Sequence, residues 1–268
     1  MRQFLQIAYF ELTRLFFTRR GWLAILACAL VWGLLLYYAV YRAARLLAAD
    51  QQTGLLSLLL SEIGWQDLAR WSVPELAIYW FFGLSLLPFF CIVLTADQTA
   101  SDRARGTLRY LHLRATRWQI YFGRFFGQML VQLLFILVTL LSTLGVVMWR
   151  DPSLLQSWLE LSPAIVVNLL IVVLPYTALM AMVSILAKSA RQATTFAVIL
   201  WIFAMLLIGY LGRQFPELSM LSQVLPGSQI SQLMRVIGWD ALALAWLPLL
   251  QTLVLLAVGA VVVRRIDL

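Results

Sequence analysis

The chain has 268 residues, of which 63% are hydrophobic and 12% charged, with eleven Trp and a formal charge of +8. Mean hydropathy is +0.89; soluble domains carry about a quarter charged residues, so this composition excludes an ordinary water-soluble globule. Two cysteines and one histidine leave no disulfide framework and no metal-binding spacing.

The chain opens with Leu5, Ala8, Leu12 and Leu15 at helical spacing, with Phe4 and Phe16 beside them. This pattern predicts an amphipathic helix lying in the membrane interface, an elbow that turns inward at Arg19 and Arg20. Crossing a hydrocarbon core about 30 Å thick takes roughly 20 helical residues. Six uncharged runs meet that length: Gly21 to Tyr41, Leu76 to Ala96, Phe125 to Trp149, Leu161 to Ala187, Gln192 to Gly212 and Ala241 to Val263. They lack the alternation of a barrel strand, and a backbone in lipid must satisfy its own hydrogen bonds, so all six are expected to be helices. The fold class is all-α, a polytopic membrane protein forming one domain over residues 1–268. A cleaved signal peptide is the competing reading of the first run, but 21 uncharged residues exceed the usual apolar region of such a leader.

Basic residues set the orientation. With six spans and both termini in the cytoplasm, the inner segments hold fourteen of the twenty Lys and Arg residues, from Arg2 to Arg265. The positive-inside rule selects that arrangement. Arg42 and Arg45, just beyond the first span, run against the trend and are expected to snorkel to headgroups. The excess positive charge then needs only the anionic inner leaflet as its partner, and no nucleic acid. Outer segments 42–75, with Trp65 and Trp71, and 213–240 are expected to form partly helical caps at the outer interface.

The spans themselves offer little chemistry. None contains Asp, Glu, Lys, Arg or His, where ion-coupled carriers usually place relays, and no Walker A loop is present. Gln128, Gln132, Asn168, Thr177, Gln251 and Thr252 are expected to act as interhelical hydrogen-bonding groups. Gly123 and Gly127 are spaced for a close helix crossing. Pro88, Pro175 and Pro248 are expected to kink their helices. Met180 and Met182, like Cys28 and Cys91, are expected in the core.

Between the second and third spans lies SDRARGTLRYLHLRATRWQIYFGRFFG, Ser101 to Gly127, with six cations. A helix over 103–115 puts Ala104, Leu108, Leu111 and Ala115 on one stripe with arginines on both sides. Gly106 is a possible break and Thr107 a possible N-cap. Periodicity leaves two readings open, an anchor lying on lipid and a protein-docking surface.

The order Asp102, Gly106, Thr107, Leu108, followed by Arg117 and then Gly123 with Arg124, resembles the permease subunits of the ABC-2 type of ATP-binding-cassette transporter. The start ELTRLFFTRRGWL and the ending VVVRRIDL are similar to that family's elbow and basic C-terminal end. This sequence has Asp102 where the family often has Glu, Ala115 where it often has Pro, and Arg124 where it often has Lys. The resemblance implies a cytosolic coupling helix docking on a separate ABC ATPase subunit through Asp102, Arg105, Gly106, Thr107, Leu108, Arg109, Leu111 and Arg117. It further implies two ATPase copies, a second permease chain, most simply a homodimer, and ATP with Mg bound by the ATPase rather than by this chain. The chain is then expected to be no enzyme itself and to move a substrate, by family habit outward. A permease-like role in an ATP-driven assembly complex, such as copper-site maturation on a periplasmic partner protein, is the alternative.

Overall fold

The computed structural model describes residues 2–41, 71–96, 99–100, 102, 106, 115–215 and 223–265. These residues are 88% helical with no strand, which makes the fold all-α. In chain order the helices are α1 (Arg2–Phe17), α2 (Arg19–Leu34), α3 (Pro74–Thr95), α4 (Arg117–Arg150), α5 (Leu155–Leu186), α6 (Ala190–Gln214), α7 (Ile230–Leu233) and α8 (Trp246–Arg265). A π-helical stretch Leu35–Tyr41 prolongs α2, and 3₁₀ turns Pro152–Leu154 and Gly238–Leu244 lead into α5 and α8. Six of these helical segments are long and apolar enough to cross a membrane: Gly21–Tyr38, Pro74–Thr95, Arg117–Arg150, Pro152–Leu186, Ala190–Gly212 and Trp246–Arg265.

The span boundaries differ from the uncharged runs where charge and helicity part company. α4 begins at Arg117, eight residues before the apolar run, because Thr116 and Gln119 form a reciprocal capping box that starts the helix among its arginines. At 1.5 Å per residue its 34 residues reach about 51 Å, so its ends stand clear of a 30 Å core. The fourth span likewise starts early: Asp151 accepts from the Ser153 N–H at 3.0 Å and Pro152 occupies the first turn, carrying Glu160 into the helix. α8 starts at Trp246 rather than Ala241, since Gly238–Leu244 winds as 3₁₀ helix. Pro248 consequently lies in the first turn of α8, where its missing N–H is one that no helix carbonyl would have met, and the expected kink has no cause there. Pro88 and Pro175 are interior, and so is Pro163.

Side-chain pairs fix the helix directions. Arg150 reaches Glu75, and Tyr79 donates to the Ile136 carbonyl at 3.2 Å, so α3 and α4 run antiparallel. Cys91 meets Thr177 and Thr99 meets Ser184 at 2.7 Å, so α3 and α5 run parallel. α5 is the axis of the bundle, packed against α3, α4, α6 and α8. Its continuous apolar composition, unsuited to a one-sided helix, suits a position with neighbours all round. Met180, Cys91 and Tyr79 are fully buried there, and Met182 is partly buried against the same core. α2 and α6 lie at the periphery, with 18% and 6% of their spans buried.

At the end away from the chain termini, the part of the cap that can be described is integral to the bundle. Trp80 donates its indole N–H to the Leu233 carbonyl at 3.1 Å, and Asn168 donates to the Gly238 carbonyl at 3.3 Å. Trp71 is 6% exposed and packs at 6.3 Å from Trp80, so it is a core residue and not the surface aromatic that its position suggested. Arg42, Arg45 and Trp65 lie outside the described residues.

Candidate functional site: the junction at the root of α4

α1 and α2 join through a sharp turn. Thr18, with extended backbone, caps α2 by accepting from the Gly21 N–H at 3.0 Å. The turn folds α1 back so tightly that a Cβ on Gly21 would lie 2.0 Å from the Leu15 carbonyl oxygen; only glycine fits. α1 is thereby laid along the N-terminal half of α4.

The buried face of α1 is not purely apolar. Ala8 is buried as the spacing suggested, and Leu12 and Leu15 are half-buried, but the innermost polar group is Glu11, 3% exposed. Gly127 makes the approach possible: a Cβ there would stand 2.9 Å from the Glu11 Cβ and 3.0 Å from the Ala8 carbonyl oxygen. The crossing expected of the Gly123 and Gly127 pair is therefore made, at Gly127, with α1 as the partner.

Around Glu11 a charged cluster closes. Gln128 donates to its carboxylate at 2.9 Å, the Arg124 Nε lies 4.0 Å away and the Arg14 Nη1 3.8 Å away. Arg124, itself 4% exposed, forms a close ion pair through Nη2 with Asp102. Burial raises the Glu11 carboxyl above its ordinary 4.5, outweighing the attraction of Arg124 and Arg14. The Nε and Nη1 of Arg124 are buried without a hydrogen-bond partner. A cavity of about 210 Å³ lined by Glu11, Arg14, Thr18 and Gln128 opens beside the cluster, bounded by Leu94 and Ala190.

Two turns earlier on α4, Arg117 donates to the Val263 and Arg264 carbonyls, both at 3.4 Å. These are among the last carbonyls of α8, which have no intrahelical partner, and a cation there complements the helix dipole. The Arg264 guanidinium in turn lies 4.7 Å over the Trp118 ring. The first three turns of α4 thus hold α1, Asp102 and the end of α8 together.

Of the docking residues expected from sequence, the structure places Asp102 and Arg117 in this junction. Gly106 is exposed with φ +69, a left-handed backbone that favours glycine. Arg105, Thr107, Leu108, Arg109 and Leu111 lie outside the described residues. The segment re-enters α4 through a bend at Ala115 and an extended Thr116, so the turn forms without proline. Glu11 was missed as a site residue; its signal is a single acid one turn after Ala8 on the face that must be buried. Two of the intramembrane polar residues depart from the expected interhelical bonding: Gln132 is fully buried with both amide atoms unpartnered, and Thr252 donates to the Pro248 carbonyl of its own helix. Among the described residues no group of three His, Cys, Asp or Glu side chains gathers to hold a metal.

The family profile described as ABC-2 family transporter protein matches residues 5–268 of the chain. No curated protein matches it.

Proposed function

From the chain's membership of the ABC-2 transporter family, we propose that this multi-pass membrane protein is the permease subunit through which a separate ABC ATPase drives a substrate, most simply outward, across a bacterial inner membrane. Both termini and the 97–116 segment face the cytoplasm in this reading. Two copies of the chain and two ATPase subunits form the working unit, and ATP with Mg binds to the ATPase alone.

The observation that supports a coupling role is the charged cluster of Glu11, Arg124 and Asp102. Asp102 stands at the start of the segment that carries Arg105, Gly106, Thr107, Leu108, Arg109 and Leu111, and its ion pair ties that segment to the second turn of α4. Thr116 ties the other end to the first turn. In this reading a pull on either end of the segment is passed to α4, and α4 carries α1 through Glu11 and Gly127 and α8 through Arg117. Force applied by an ATPase to Leu108 and Leu111, seated in an apolar groove with Arg105 and Arg109 at its rim, is then delivered to three helices together.

Leu111→Asp tests the docking role. Coexpressed ATPase should no longer copurify with the variant in mild detergent, while membrane insertion and thermal unfolding of the permease stay as in the wild type. Undiminished copurification would remove the segment from the interface.

A further inference from the structure

A second cavity lies far from the junction, between α5, α6 and α8 near the end away from the chain termini. Its volume is about 390 Å³, and its walls are set by Leu179, Trp201, Ala204, Ile208, Leu247 and Gln251, with the turn 223–226 as its roof. That is within the range of ligand sites, roughly 300–1,000 Å³. It lies where α6 is held most thinly, since only 6% of that span is buried.

Two residues of this wall each carry a buried polar atom with no hydrogen-bond partner. Gln251 is 7% exposed and its Nε2 donates to the Gln223 carbonyl at 2.6 Å and the Leu225 carbonyl at 3.0 Å. Those two acceptors fix the amide, because flipping it would set Oε1 against two carbonyl oxygens. The Oε1 is left buried as an acceptor with no donor, and the Trp201 indole N–H, also buried, has no acceptor. Leaving such a group bare is unfavourable, and the hydrocarbon around a span offers no water to relieve it. Among the described residues, those of the lining carry no formal charge, so an ionic headgroup seated on them would be desolvated without compensation.

We propose that this cavity is a binding site for a neutral, mainly hydrocarbon molecule carrying a hydroxyl group. The hydroxyl donates to Gln251 Oε1, its oxygen is the type of acceptor that the Trp201 N–H lacks, and the hydrocarbon body fills the gap between α6 and the rest of the bundle. A resident membrane alcohol and a transported one share this chemistry. The site does not depend on the transport reading.

Photolabelling of the full chain in phosphatidylcholine nanodiscs tests it, using hexadecanol with a mid-chain diazirine and the matching hexadecane diazirine as probes. The alcohol should label peptides containing residues 201–208 and 247–254, and unlabelled hexadecanol should compete where hexadecane does not. Ala204→Trp, which fills the cavity, should abolish this labelling. Gln251→Leu should weaken competition about tenfold, a typical loss for one buried hydrogen bond. Trp201→Phe, which leaves the 223–226 turn anchored, should weaken it severalfold. Equal labelling by both probes, or labelling that survives Ala204→Trp, overturns the proposal. Repeating the labelling with the ATPase and trapped nucleotide identifies the source, since a cargo is displaced and a resident lipid stays.

Discussion

Arg124→Met keeps the length and apolar stem of the side chain but removes the charge that faces two carboxylates. At the 4.0 Å separation between the Arg124 Nε and Glu11, an effective dielectric of 20 gives an attraction of about 4 kcal/mol. The real loss is bounded by a simpler route, because Glu11 will take up a proton once its partner is gone. Neutralising a carboxyl of ordinary pKa 4.5 at pH 7 costs about 3.4 kcal/mol, from 1.36 kcal/mol per unit over the 2.5-unit gap, and at pH 5 about 0.7 kcal/mol. Asp102, 19% exposed, keeps contact with water and adds less. Because burial raises the folded Glu11 value above 4.5, these figures are ceilings, and the variant should lose at most about 3 kcal/mol at pH 7 and less than about 1 kcal/mol at pH 5. Equilibrium unfolding in mixed micelles, followed by tryptophan fluorescence at both pH values, measures this. Adding Glu11→Gln should restore most of the loss at pH 7. Equal losses at the two pH values, or a double variant as unstable as Arg124→Met, would refute an electrostatic account of the junction.

The remaining predictions follow from the same geometry. Glu11→Gln alone should flatten the acid side of the stability profile: a carboxyl whose folded pKa is raised favours the fold fully below its unfolded value of 4.5 and loses that contribution as pH rises through the folded value. The wild type should thus weaken between about pH 4.5 and its folded pKa while the variant does not, as read by thermal melts across that range. Gly127→Ala places a methyl 2.9 Å from the Glu11 Cβ and should cost about 1–3 kcal/mol, with trypsin cutting at Arg14 and Arg19 faster as α1 lifts. At the opposite end, Arg150→Met strands the fully buried Glu75, now 3.0 Å from its partner, and should cost about 3–5 kcal/mol. That loss should add to the loss from Arg124→Met in the double variant, because the two pairs share no partner.

The six spans and the all-α class are written in the amino-acid sequence, because transfer into lipid is decided by each run of residues on its own. The motif from Asp102 to Arg124 was legible in the same way, being a local spacing. What the tertiary structure alone decided is which residues meet. Glu11 and Gln128 are 117 residues apart, and nothing in either neighbourhood states that α1 will fold back through Gly21 to bury an acid against α4. The central place of α5, the burial of Trp71 and the unpartnered acceptor of Gln251 have the same origin. Hydrophobicity says that a helix enters the membrane, but it is indifferent to rotation and neighbours when lipid and protein interior are equally apolar; those are settled by packing volume and by the few polar groups that must find one another.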